Sequence, residues 1–279
     1  MEKKVNIVAD ICCNHQGNIE IAEKMISTVK ECGADYVKLQ KRCVEEINEE
    51  KAIQPYAGEN SFGKTYGEHR SALEFSYNDF CRLLNYARDI GIGCFATPFD
   101  ITSLEQLVAL NVPYIKLGSA QVHNDKIIEF VSKNEMPSII MSTGMCDAIK
   151  VFNVISKLYN KLKVVMQTTS AYPCHENYVN INVINYYKKS FPFISVGLSG
   201  HYVSGNGAIE AAAVAMGATW IERHFTLDRT WKGTDHACSL EPEGLLNVVK
   251  AVRTVERAMG SVVKEMLDCE KETWGKISR

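Results

Sequence analysis

A single-domain (β/α)8 TIM barrel is the fold class that this 279-residue sequence predicts. Eight short runs of β-branched and apolar residues alternate with eight longer stretches whose apolar residues recur at helical spacing. The mean repeat of about 35 residues is that of one strand–helix unit in such a barrel. The turn after the first run reads Cys12-Cys13-Asn14-His15-Gln16-Gly17. It lacks the Gly-x-Gly-x-x-Gly fingerprint of the competing doubly wound open sheet.

Taken along the chain, the first strand is expected at 5–10 and its helix at 19–32. Gly33-Ala34 then caps that helix and turns into a second strand at 35–40. Residues 41–76 carry Glu45, Glu46, Glu49, Glu50 and Lys51, then Gly58, Gly63 and Gly67. A connection this long without structure of its own reads as a functional lid or a disordered segment, and in a barrel it lies on the face where active sites are built. The helix at 77–90 shows one apolar stripe of Phe80, Leu83, Leu84 and Ala87, with Gly91 and Gly93 as stops before the strand at 93–97. The next units pair strands 114–118, 138–142 and 163–168 with helices 124–133, 147–160 and 180–190, a helix at 102–110 leading into the first of them. Strand 194–199 precedes helix 205–216, and Gly217-Ala218 turns into the last strand, 219–224, followed by helix 243–259. Residues 1–260 form the barrel, and 261–279 form a short helical tail, too few for a second domain.

Composition narrows the partners. Apolar residues make up 46% and charged residues 23%, with 31 basic against 33 acidic residues, so neither nucleic acid nor an anionic membrane is called for. The ten cysteines form no Cys-x-x-Cys pair and no zinc-knuckle spacing. After Met1-Glu2-Lys3-Lys4 the apolar stretch breaks at Asp10, too early for a signal peptide, and no run approaches membrane-spanning length. The expectation is a cytoplasmic protein in a reducing compartment.

Parallel strands buried on both faces should be almost continuously apolar. Several here turn polar at their C-terminal ends. Lys38 and Gln40 share one side of the second strand, Lys116 is followed by Ser119 after the fourth, and Glu222 and His224 share one face of the eighth. Other strands finish in Asp10, Thr97, Ser142-Thr143, Thr169-Ser170 and Ser199-Gly200-His201. A lone rim lysine is ordinarily solvated, a lone histidine is ordinarily a hydrogen-bonded core residue, and Ser or Thr after a strand often caps the next helix. Convergence on one rim favours a ligand, because burying these groups without one would leave unpaired charges costing several kcal/mol each. Lysines and hydroxyls suit a phosphate. His201 and His224, one unit apart, suit a divalent metal, with Asp10, Glu222 and Asp235 nearby. His15, His69, His123, His175 and His236 have no firm role.

Ala9-Asp10-Ile11 and Asn14-His15-Gln16-Gly17 resemble the opening of the sialic acid (N-acetylneuraminate) synthases. Residues 33–40, Leu73-Glu74-Phe75-Ser76, Ala96-Thr97-Pro98-Phe99-Asp100, 112–119 and Ser142-Thr143-Gly144-Met145 continue the resemblance in the family's order. So do Thr169-Ser170-Ala171-Tyr172-Pro173, Gly197-Leu198-Ser199-Gly200-His201, 222–229 and Gly233-Thr234-Asp235-His236. The resemblance implies a metal-assisted transferase that condenses phosphoenolpyruvate with an open-chain aldose, an N-acylhexosamine or related sugar. The products would be a 3-deoxy-2-ulosonic, sialic-acid-like acid and phosphate. It also implies that Lys38, Thr97, Lys116, Ser119, Ser142 and Ser199 hold phosphoenolpyruvate, while Gln40, Gln121, Tyr172 and Asp235 border the substrates. His201 and His224 would hold Mn2+, with Mg2+ or Co2+ as substitutes, and Asp10 or Glu222 would act as base. A homodimer is a further expectation.

This chain departs from the family pattern in three site segments. Asp10 replaces Glu, Ser119-Ala120-Gln121 replaces Ser-Gly-Glu, and Ser199-Gly200-His201 replaces Ser-Asp-His. The family's C-terminal antifreeze-like domain, which contacts the sugar's N-acyl group, is not expected here, and an acceptor without an N-acetyl group follows as a hypothesis. Two other functions fit the residues alone. One is a metal-dependent aldolase or isomerase barrel, in which Lys38 or Lys116 could form a Schiff base. The other is a barrel that binds a sugar acid without turnover.

Overall fold

Each apolar run lies in parallel beside the next. In the computed structural model, which describes residues 5–278, the strands are β1 (Asn6–Asp10), β2 (Tyr36–Lys41), β3 (Gly93–Pro98), β4 (Tyr114–Leu117), β5 (Ser138–Ser142), β6 (Leu162–Thr168), β7 (Ser195–Gly200) and β8 (Trp220–His224). They close as a barrel in sequence order, with β8 pairing back onto β1. The opening residues Met1-Glu2-Lys3-Lys4, read above against a signal peptide, and Arg279 lie outside the described residues.

Helices wrap the strands: α1 (Ile19–Glu31), α2 (Glu49–Ala52), α3 (Tyr66–Ser71), α4 (Tyr77–Asp89), α5 (Ile101–Ala109), α6 (Ser119–Val122), α7 (Asp125–Lys133), α8 (Ala148–Leu158), α9 (Val183–Ser190), α10 (Ala208–Ala215), α11 (Pro242–Ala258) and α12 (Asp268–Ile277). Side-chain caps set many of their starts, as with Asn18 before α1, Ser76 before α4, Asp100 before α5 and Asp147 before α8. Two helices start later than the sequence pattern suggests. Asn180 and Gly207 are left-handed, with φ of 54° and 77°, so α9 begins at Val183 and α10 at Ala208. None of the described helices is long and apolar enough to cross a membrane.

The long connection after β2 has structure of its own, which corrects the expectation of an unstructured lid. It holds α2, α3 and a one-turn 3-10 helix at Val44–Glu46. Thr65 and Glu68 form a reciprocal capping box at the start of α3. His69 is buried among Tyr56 and Phe62, with ring centroids at 4.4 and 6.0 Å.

Inside the barrel, side chains of one parity stack in layers. Near the N-terminal end, Trp220 stacks on Tyr36 at 5.5 Å and meets Tyr114 edge-on at 5.1 Å, while Phe95 lies 5.7 Å from Tyr36. Two residues further along the same strands come Glu222, Lys38 and Lys116. An aromatic floor therefore lies directly beneath a layer of charges. Replacing Trp220 by Ala removes the largest plate of that floor and is expected to cost about 3–5 kcal/mol in urea unfolding. A loss under about 1 kcal/mol would mean that the floor does not support the charged layer.

Candidate active site

The strand ends open into a cavity of about 380 Å3, whose lining includes Asp10, Lys38, Gln40, Thr97, Lys116, Ser119, Gln121, Ser142, Tyr172, Ser199, His201, Glu222, His224 and Asp235. Every site residue expected from the sequence therefore borders one space. Register explains part of this: Asp10 pairs with both Lys38 and His224 across the strands, and Ser199 pairs with Glu222.

The four charged groups are between 1% and 4% exposed, so their mutual pairing decides whether burial is tolerable. Lys38 Nζ lies 2.6 Å from Asp10 Oδ2 and 3.4 Å from Glu222 Oε1, and donates to Thr97 Oγ1 at 3.1 Å. Lys116 Nζ sits 2.7 Å from Glu222 Oε2, and Ser199 Oγ donates to Glu222 Oε1 at 3.2 Å. Two ammonium groups thus face two carboxylates. This corrects the expectation that burying the lysines without a ligand leaves their charges unpaired: the chain supplies the counter-charges itself.

The pairs act unequally on protonation. Burial works against the charged form of Lys38, but Asp10 and then Glu222 outweigh it and hold its pKa above the ordinary lysine range. For Lys116 burial prevails over Glu222, and its pKa falls to about 8. Burial would raise Glu222, yet Lys116 and Lys38 hold it ionised, well below the usual carboxylate range.

Beside this cluster the rings of His201 and His224 lie 4.8 Å apart. His201 Nδ1 pairs with the Thr169 carbonyl at 2.9 Å, which puts the proton on Nδ1 and leaves Nε2 bare. Burial, then His224, lowers the His201 pKa to about 3, so the ring stays neutral and competent as a ligand. His224 Nε2 approaches Asp10 Oδ2 at 3.7 Å. Donor atoms of Asp10, Cys12 and His224 all lie within 4.8 Å of one another. This carboxylate, thiol and imidazole set, with His201 alongside, fits a divalent ion.

The replacements at 121 and 200 have physical consequences. Gln121 folds over the backbone of Gly118, where a Cβ would come within 2.7 Å of its Oε1. At Gly200 a Cβ would stand 2.4 Å from the Tyr202 ring, so that ring fills the space a side chain would need. Tyr202 in turn lies against Arg223, whose Cζ is 4.0 Å from the ring centroid. Arg223 points away from the cavity into the helical layer. It pairs with Glu210 of α10, donates to the Tyr202 carbonyl, and donates to the Ser204 carbonyl at 3.0 Å. One buried guanidinium thereby ties β8, which carries His224, to the loop that carries His201.

Sequence reasoning missed three contributors. Arg42 continues the inward parity of Lys38 and Gln40, pairs with Glu74 at 2.7 Å and stacks on Phe99 at 3.8 Å. Arg70 reaches the cavity from α3 and lies over Tyr66 at 5.1 Å, its Nε buried without a partner. Cys12 belongs to none of the cysteine spacings that mark a metal site. Several remaining histidines are structural: His15 stacks on Phe75 at 4.3 Å, and His236 pairs with Thr226 Oγ1 at 2.8 Å.

With this geometry in view, comparison with known proteins is decisive. A profile of the NeuB family matches residues 25–264. The chain belongs to the NeuB family. Mouse N-acetylneuraminate-9-phosphate synthase is 46% identical over 267 residues, covering 95% of this chain and 74% of the mouse protein. The N,N'-diacetyllegionaminic acid synthase of Legionella pneumophila is 33% identical over 95% of this chain and 76% of its own length. Among solved structures, an N-acetylneuraminic acid synthetase from Leptospira borgpetersenii superposes with a TM-score of 0.83 at 26% identity, covering 100% of this chain and 94% of that one. This NeuB protein is accordingly an enzyme of the sialic acid synthase type.

Arg223→Met is expected to destabilise the enzyme by about 3–5 kcal/mol in urea unfolding, because Glu210 is left charged and buried. The double variant Arg223→Met, Glu210→Leu should recover most of that loss. No recovery would mean that Glu210 is not the group left stranded.

Proposed function

We propose that this NeuB enzyme condenses phosphoenolpyruvate with the open-chain form of a hexosamine 6-phosphate, with a divalent ion bound at Asp10, His201 and His224. The observation that carries the reading is the paired-charge cluster lying beside the two imidazoles of His201 and His224 in one cavity. The charges of that cluster cancel, so an anionic substrate entering it needs a cation as companion, and the neighbouring donors offer one a seat.

Lys38 and Lys116 hold the phosphate of phosphoenolpyruvate, with hydroxyls of Thr97, Ser119, Ser142 and Ser199 as further partners. The ion, when bound, supplies Lewis-acid polarisation of the aldehyde oxygen. C3 of the enol then bonds to the aldehyde carbon, and positive charge develops at C2. A water oxygen bonds to C2 as Asp10 takes one of its protons and passes it to the oxygen of the former aldehyde; the C2–O bond to phosphate then breaks, and the remaining hydroxyl proton leaves with the phosphate to give the keto acid. Glu222 lies between the two lysines, paired with Lys38 and Lys116 and accepting from Ser199, and so orients both ammonium groups. Gln40, Gln121, Tyr172 and Asp235 border the acceptor.

The phosphate on the acceptor follows from carbon counting. Phosphoenolpyruvate adds three carbons, so C9 of the product named in the mouse relative is C6 of its hexose. Arg42 and Arg70 line the same cavity, and among the described residues Arg42 alone of the two forms an ion pair, with Glu74. Two guanidinium groups beside one paired carboxylate leave positive charge for a phosphate monoester.

Phosphate release with Mn2+ and phosphoenolpyruvate should be faster with a hexosamine 6-phosphate than with the same sugar unphosphorylated, and Arg70→Met should raise KM for the phosphorylated sugar at least ~10-fold. Equal rates on the unphosphorylated sugar would rule out the phosphorylated acceptor. Asp10→Asn should lower kcat by about 10²–10⁴-fold. Unchanged kcat would remove Asp10 from proton transfer.

A pH profile tests Lys116. Its folded pKa, about 8, is below the ordinary 10.5. Between those values the folded protein binds fewer protons than the unfolded chain, so this group's contribution to stability grows as pH rises through the window. Phosphoenolpyruvate affinity should fall over the same window, because a neutral amine no longer attracts the phosphate. In Lys116→Met the inflection near pH 8 should be absent; its persistence would assign it elsewhere.

A further inference from the structure

We infer that Cys12 is a ligand of the divalent ion, giving this enzyme a mixed carboxylate, thiolate and imidazole centre suited to thiophilic ions such as Zn2+ or Co2+. The inference rests on the metal-assisted reading above and concerns a residue to which the reaction sequence assigns no part.

The geometry is local and specific. Cys12 follows β1 and is fully buried, with a backbone φ of 49°, a left-handed conformation at home in glycine and uncommon for cysteine. A strained conformation held next to a candidate centre points toward a role for the side chain. Its backbone N–H donates to Asp10 Oδ1 at 3.0 Å, which fixes that carboxylate with Oδ2 between Lys38, at 2.6 Å, and His224, at 3.7 Å. The Cys12 thiol itself makes one long contact, to the Asp10 carbonyl at 3.6 Å.

The donors of Asp10, Cys12 and His224 lie within 4.8 Å of one another. Ligand bonds of about 2.0–2.3 Å would bring them together with small side-chain shifts. A second thiol fixes the imidazole. Cys238 donates to the Asp235 carbonyl at 3.3 Å, so its sulfur accepts from His224 Nδ1 at 3.7 Å, and Nε2 is left bare toward Asp10. When the ion enters, the Cys12 S–H bond breaks, its proton passes to solvent and the sulfur lone pair bonds to the metal. No electron changes hands.

Cobalt titration of the full metal-free chain tests the assignment without turnover. A thiolate-to-cobalt charge-transfer band should grow in the near ultraviolet and saturate at one ion per chain. Cys12→Gly suits the left-handed backbone and should keep the fold. It should abolish the band and weaken Zn2+ binding about 10–100-fold, while changing Mn2+ affinity far less. Cys238→Ala should keep the band. A band absent from the wild type, persisting in Cys12→Gly or vanishing in Cys238→Ala would overturn the proposal, as would a chain that binds no Co2+. A chain that shows the band yet releases no phosphate with any aldose would sink the condensation reading and leave the ligand assignment standing.

Discussion

Four buried charges at the top of the barrel constrain everything around them. Lys38, Lys116, Asp10 and Glu222 cannot be removed singly without stranding a partner in a medium where an isolated charge costs several kcal/mol. The barrel tolerates the group because parallel strands bring these side chains to one level, where opposite charges pair above an aromatic floor. The arrangement cancels its own charge, which distinguishes a site prepared for an anion-and-cation pair from one prepared for a lone phosphate. In such surroundings attraction between the lysines and an incoming phosphate is stronger than in water.

A second tier of contacts holds that layer in place. Asn14 donates to the Phe225 carbonyl and to Ser239 Oγ, both at 2.9 Å, and so fastens the loop after β1 to the one after β8. Arg223 fastens β8 to the loop after β7. The loops bearing Cys12, His201 and Asp235 are thereby tied to one another as well as to their own strands. At Gly144 a Cβ would fall 2.1 Å from Ser170 Oγ and 2.5 Å from Ser119 Oγ, so glycine leaves room for both hydroxyls beyond the end of β5.

The inner half of the site was legible in the sequence because strand parity is a strict rule. Lys38, Gln40, Glu222 and His224 interrupt runs that should be apolar, at spacings that send them to one face. Parity also marks Arg42, two residues beyond Gln40, although β2 ends at Lys41. What parity could not show was charge balance, since Lys116 and Glu222 meet across 106 positions of sequence. Arg70 was hidden for the same reason: it reaches Cys13 across 57 positions from a connection that read as irregular. The capping box of α3 was present as Thr65-Tyr66-Gly67-Glu68, a local signal that acidic residues and glycines nearby obscured. Cys12 was hidden by its own chemistry, since a buried thiol in an apolar setting and a metal ligand have the same letter. Tyr202 filling the space beside Gly200 depends on a ring position that no spacing rule gives.

Calorimetric titration of phosphoenolpyruvate onto the enzyme, with and without a divalent ion, tests the central claim most directly when Lys116→Met is run alongside. A self-cancelling cluster should bind the anion weakly alone and at least ~10-fold, or about 1.4 kcal/mol, more tightly with the ion. The lysine variant should lose affinity under both conditions. If affinity is the same with and without the ion, and the variant binds as tightly as the wild type, the paired charges are not where the enol phosphate sits.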